Sequence, residues 1–221
     1  MNETGASPSG FGLACGSVPA DNTVCTTAFT AHRGGQGGPA GVLSAGHCSD
    51  LDRPAEHASL PLGAVAWIQF AGKLDALWID TVDTWPDTSR WVWQEPFNHR
   101  YTISSREGSG GGVIGDPICH SGARRGYGCG KITDDHIAVN VDGISLTDMK
   151  EDNLCSGPGD SGGPVYANHE AAGIISATNA HVNEDGSYRC RTVSYDGYPQ
   201  RTYYTGIYNT EQAFGVVVRT W

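Results

Sequence analysis

Apolar positions along this chain come in short runs, most of them ended by Gly, Asp-Gly or Pro. In the first half, runs of β type fall at residues 25–30, 41–44, 64–70, 76–82 and 91–93. The second half adds 114–120, 130–133, 136–141, 163–167, 173–177, 202–207 and 216–219. Many short strands between turn signals predict an all-β protein, an antiparallel sandwich or barrel. One short helix is expected around 209–213. Residues 1–14 read as a flexible leader. The tract SREGSGGG at 105–112 reads as a crossover between two halves, 15–104 and 113–221, each the size of a small β-barrel. Ligand sites favour domain interfaces, so a site in the crevice between two barrels follows. The pattern alone leaves sandwich and paired barrels both open.

Composition narrows the function. The net charge of −10 disfavours a nucleic-acid partner, which needs a basic surface. Seven cysteines without paired CxxC clusters point to an oxidising compartment and to disulfides rather than zinc. No apolar run approaches a membrane span, so no membrane partner is expected. No h-region follows Met1, which places any signal peptide or pro-segment outside this stretch. The expectation is a secreted, extracellular, monomeric protein.

The segment Gly159-Asp160-Ser161-Gly162-Gly163-Pro164 carries the first chemical signal. A nucleophilic serine needs an exposed hydroxyl on a sharp turn, with backbone N–H groups beside it for a developing oxyanion. The flanking glycines permit that turn and a close approach of substrate backbone. An ordinary Gly-rich turn is the plain alternative. A serine also needs a base, and of the eight histidines only His47, in Ser44-Ala45-Gly46-His47-Cys48, follows an apolar strand and adjoins a cysteine able to pin its loop. The third member must be a buried carboxylate that orients the imidazole. Asp75 opens the apolar strand Asp-Ala-Leu-Trp-Ile, whereas Asp80 and Asp83 read as solvated loop acids.

In their order His–Asp–Ser, these motifs resemble the chymotrypsin-fold serine peptidases. Cys119-His120-Ser121-Gly122, then Gly128-Cys129-Gly130, and Cys155 six residues before Ser161 resemble the bacterial streptogrisin and α-lytic branch in particular. The resemblance runs from about Cys25 to the C-terminus and is weakest across 85–112. It implies two antiparallel barrels with the active site between them, and a peptide or protein as substrate. It assigns Ser161 as nucleophile, His47 as base, Asp75 as its orienting acid, and the N–H groups of Gly159 and Ser161 as the oxyanion hole. It also implies disulfides Cys25–Cys48, Cys119–Cys129 and Cys155–Cys190, leaving Cys15 without an assigned partner.

By the same resemblance, the pocket for the side chain before the scissile bond is walled by Ser156, Gly157, Pro158, Ser176, Ala177 and Thr178, with Ile175 and Thr202 toward its base. Cys155 stands where a preference for Arg or Lys would need a carboxylate, and Ile175 stands where glutamate-specific relatives carry a histidine. An uncharged residue of small to medium size is the expected choice. Glu184 and Asp185, in the long 179–189 loop, read as solvent-facing. Bacterial relatives pair an arginine with the acid beside the nucleophile; here that place is His120, so a His120–Asp160 hydrogen bond is expected. A neutral His120, or a charge from Arg124 or Arg125, is the alternative.

No metal or other cofactor is expected, since no ligand cluster accompanies the motifs. An esterase of the elbow type fits poorly, because its order is Ser–Asp–His. The competing function is a catalytically silent binding module of the same fold, which normally has lost the nucleophile, the base or the oxyanion-hole glycine. Use as a processing enzyme with one protein target is a further alternative.

Overall fold

The computed structural model describes residues 6–9, 12–15, 23–35, 37–49, 54–57, 60–81, 87–94, 99–184 and 187–221. The first half contains β1 (Ala6–Ser9), β2 (Gly12–Cys15), β3 (Thr23–Thr26), β4 (Thr30–Arg33) and β5 (Ala40–Ser44). It continues with β6 (Pro54–His57), β7 (Leu60–Ala71), β8 (Leu74–Thr81), β9 (Asp87–Gln94), β10 (His99–Thr102) and β11 (Ser105–Arg106). The second half holds β12 (Pro117–Gly122), β13 (Gly126–Val141), β14 (Ile144–Asp152), β15 (Pro164–Ala167) and β16 (Glu170–Thr178). Then come β17 (His181–Val182), β18 (Tyr188–Arg189), helix α1 (Val193–Asp196), β19 (Thr202–Gly206), helix α2 (Ile207–Phe214) and β20 (Val216–Val218).

Two large sheets organise these strands. The first runs β20-β4-β5-β8-β7-β6-β2-β3, and the second β11-β16-β15-β12-β13-β14-β19. A β16–β19 pairing closes the second sheet on itself. This is the all-β, two-barrel architecture of the chymotrypsin type. Strand β8 shows why the first sheet forms: Leu74 to Ile79 are all buried, so the apolar run from Ala76 to Ile79 is covered on both faces. Trp78, Leu43, Leu77 and Ile79 anchor that core. A smaller cluster of Ile118, Ile132, Leu154, Val165, Ala172, Ile175 and Tyr204 fills the second barrel.

The structure redraws several expected boundaries. Ala6–Ser9 pairs with β9, and Gly12–Cys15 pairs with β3 and β6, so these parts of the expected flexible leader are strands. Ser105 and Arg106, expected in the crossover, pair in parallel with β16. The last strand, β20, returns to the first sheet beside β4, so the chain's end ties the second half to the first. The two runs at 130–133 and 136–141 are one bulged strand, β13, with left-handed φ at His136. Strand β14 was not expected. Its inward residues, Leu146 and Met149, are three apart because Asp148 has a φ of 60° and bulges, which breaks the alternation that marks a strand.

Three disulfides form: Cys25–Cys48, Cys119–Cys129 and Cys155–Cys190. The side chain of Cys15 lies outside the described residues, as do Asp83 and Asp185. Among the described residues no helix is long and apolar enough to cross a membrane.

Candidate active site

His47 sits in a single 3-10 turn, Gly46–Cys48, that leaves β5 and is held by the Cys25–Cys48 disulfide. Gly46 makes the turn possible. A Cβ there would stand 2.5 Å from the Gln69 carbonyl oxygen and 2.9 Å from that of Ala76, so only glycine seats the turn against β7 and β8. The His47 ring is half-buried beside Phe70, with ring centroids 5.6 Å apart.

Asp75, on β8 and completely buried, grips His47 twice. Its Oδ2 is 2.7 Å from His47 Nδ1, and its Oδ1 accepts the His47 backbone N–H at 3.0 Å. A carboxylate can only accept, so His47 Nδ1 carries the proton and Nε2 is left as the acceptor. Burial alone would lower the His47 pKa; the hydrogen bond and charge of Asp75 outweigh it and leave the pKa raised. The second barrel supplies further support. Ser176 Oγ donates to Asp75 Oδ2 at 2.5 Å, and the Asp75 N–H donates to Thr205 Oγ1 at 3.0 Å. Asp80 is different: half-buried on β8 and not in a loop, it accepts from the Trp78 indole at 2.5 Å.

Ser161 lies on the turn before β15. Its hydroxyl donates to the Ser176 carbonyl at 3.5 Å, so Ser161, Ser176, Asp75 and His47 form one connected polar chain. The turn is stitched to the first barrel: Thr26 N–H donates to the Ser161 carbonyl at 2.7 Å, and Thr26 Oγ1 to the Gly159 carbonyl at 2.8 Å. Gly162, at φ 83°, leaves no room for a Cβ, which would lie 2.1 Å from Ser44 Oγ. Gly159 also has a left-handed φ, of 99°. Among the described residues the N–H groups of Gly159 and Ser161 meet no acceptor.

Asp160 does not pair with His120, and that expectation is overturned. Its carboxyl accepts the backbone N–H groups of Arg124 at 2.8 Å, Arg125 at 2.9 Å and Gly157 at 2.9 Å. Neither arginine side chain bonds it; their backbone does. Burial pushes the Asp160 pKa up against these donors. His120 is buried in the second barrel, with Nδ1 without a partner among the described residues. Burial lowers its pKa to about 4, so it is neutral at physiological pH.

The expected pocket residues divide by role. Ser156 Oγ and Thr202 Oγ1 lie 2.8 Å apart, both buried, and Thr202 donates to the Leu154 carbonyl at 3.0 Å. Ile175 packs within the core cluster of the second barrel, and the Ser176 hydroxyl is turned to Asp75. Thr178 Oγ1 bonds the Arg201 carbonyl, Ala177 is half-buried and Pro158 is exposed. Gly157 is covered by the Tyr188 ring. Glu184 is exposed, as expected. Sequence reasoning missed the hydroxyls of Ser176 and Thr205 on Asp75 and the contact made by Tyr188. Only the chain's tertiary pairing reveals them. The sulfurs of Cys25 and Cys48 lie within 4.8 Å of a His47 ring nitrogen, but they are committed to their disulfide and make no ligand set.

No protein-family model matches the chain. It is 27% identical over 176 residues to Serine protease 1 of Rarobacter faecitabidus, covering 74% of this chain and 30% of that protein. It is 26% identical over 197 residues to Streptogrisin-C of Streptomyces griseus, covering 89% of this chain and 38% of that one. The chain therefore spans about a third of the length of these two relatives. Thermobifida fusca Protease A superposes with a TM-score of 0.78 at 23% identity, over 98% of this chain and all of that one. The fold is thus that of the bacterial chymotrypsin-type proteases, and the sequence likeness falls on the streptogrisin branch.

Proposed function

We propose that this chain is a serine endopeptidase that hydrolyses peptide bonds through an acyl-enzyme. The observation that carries the reading is the His47–Asp75 pair, with its tautomer set by Asp75 and with Ser161 on the same polar chain. Ser161 Oγ attacks the scissile carbonyl carbon while His47 Nε2 takes the hydroxyl proton. The carbonyl oxygen becomes an oxyanion, received by the unoccupied N–H groups of Gly159 and Ser161. His47 returns its proton to the leaving amine as the C–N bond breaks, and Ser161 is left as an ester. Water, deprotonated by His47, then displaces Ser161 and regenerates the hydroxyl.

The side chain before the scissile bond is uncharged and of small to medium size. In support, the Ser156 hydroxyl donates to Thr202 Oγ1, which itself donates to the Leu154 carbonyl, and neither side chain offers a charge. Secretion from the cell and action as a monomer complete the reading; three disulfides suit an oxidising exterior. Hydrolysis of peptide p-nitroanilides by the wild type, lost in Ser161→Ala, tests the proposal. A wild type that turns over no peptide or protein would contradict it.

A further inference from the structure

Asp160 belongs to the turn that carries the oxyanion donors, and among the described residues no cationic side chain bonds it. Tyr188 stands close by: burial, and then the charge of Asp160, push its phenol pKa up. Its ring covers Gly157 at the start of the turn, where a Cβ would meet Tyr188 Cε2 and Cζ at 2.4 Å and Cδ2 at 2.5 Å. The turn itself is closed by Asp160 N–H donating to the Gly157 carbonyl at 3.0 Å, and by Gly157 N–H donating back to Asp160 Oδ2 at 2.9 Å.

Tyr188 is itself well held. It pairs with Val182 in the β17–β18 hairpin, and two residues on, Cys190 is bonded to Cys155, two residues before Gly157. Next to it, Arg189 forks onto Asp196 at 2.8 and 2.9 Å. We propose that Tyr188 is a positioning residue for the oxyanion hole, its ring bracing the turn at 157–160 so that the N–H groups of Gly159 and Ser161 stay aimed at the developing charge. The inference rests on the peptidase reading above. Donors of this kind act only in proportion to how well they are aimed at the transition state, which the ground-state substrate does not sense equally.

The test compares Tyr188→Ala, which removes the ring, and Tyr188→Phe, which keeps it, with wild type on one peptide p-nitroanilide. We expect kcat to fall about tenfold at unchanged KM in Tyr188→Ala and to stay near wild type in Tyr188→Phe. Affinity for a peptide boronic acid, which mimics the tetrahedral oxyanion, should fall in parallel. Gly157→Ala, whose new methyl would strike the ring, should cost far more in the wild type than in a Tyr188→Ala background. Wild-type kcat in Tyr188→Ala, a change in KM alone, or an equal cost of Gly157→Ala in both backgrounds overturns the inference and leaves the peptidase reading standing. Absence of turnover in the wild type overturns that reading, and the inference with it.

Discussion

Asp75 holds His47 by ring and backbone together, Oδ2 on Nδ1 at 2.7 Å and Oδ1 on the main-chain N–H at 3.0 Å. The double grip fixes both the orientation and the tautomer of the imidazole. Asp75→Asn presents an amide donor or a weaker acceptor to Nδ1 and favours the wrong tautomer. We expect kcat to fall by about four decades with the fold retained. Asp80→Asn, at a carboxyl that accepts the Trp78 indole N–H, should keep near wild-type activity. Steady-state kinetics of both variants checks the assignment; the reverse order of effects would contradict it.

The same pair sets a pH dependence. The folded His47 pKa lies above its ordinary 6.5, because the Asp75 hydrogen bond and charge outweigh burial. His47 must be neutral to act as a base, so the acid limb of kcat/KM should have its midpoint above 6.5. For stability the sign is that of a raised histidine: the pair's contribution is complete below the unfolded pKa and lost as pH climbs through the folded one. A pH–rate profile showing a midpoint below the ordinary histidine value would contradict this.

How far the site was legible depended on distance along the chain. His47, Ser161 and the cysteines announce themselves within a few residues, since a strained turn and its chemistry are local. Asp75 could be preferred because it opens a run that is buried on both faces. What failed involved contacts between distant segments. His120 was expected on Asp160, yet it faces the barrel interior with Ile118, two positions away on β12, while the Arg124 and Arg125 backbone folds over the carboxyl instead. No short-range pattern announces which face of a strand meets which neighbour, and Tyr188 was invisible for the same reason.

Specificity follows from the hydroxyl pair Ser156–Thr202 and the exposure of Glu184. Burying a charged side chain without a partner costs several kcal/mol, roughly, so Ala, Val or Leu before the scissile bond should be cleaved faster than Arg, Lys or Glu. Peptide-library profiling reads this out. A dominant Arg or Lys signal would contradict it.

Asp152 offers an independent test of the second barrel. It is fully buried, Oδ1 accepts the Leu154 N–H at 2.8 Å, and Oδ2 has no partner among the described residues. Burial raises its pKa from 3.8 to about 7, with Glu151 adding to the effect. The folded state therefore binds more protons than the unfolded state across that interval, and stability falls as pH rises through it. Asp152→Asn keeps the Leu154 bond and removes the titration. Its Tm should exceed wild type at pH ~8 and match it at pH ~4. Melting curves that differ equally at both pH values would contradict the buried, raised carboxyl.

The most direct measurement of the central claim is mass spectrometry of the intact protein, followed by peptide mapping, after exposure to a serine-directed fluorophosphonate. An activated nucleophile is phosphonylated once, at Ser161, and the adduct is expected to vanish in both Ser161→Ala and His47→Ala. A wild type left unmodified, or labelled equally well without His47, would contradict a catalytic Ser161–His47–Asp75 site and leave a binding module of the same fold as the reading.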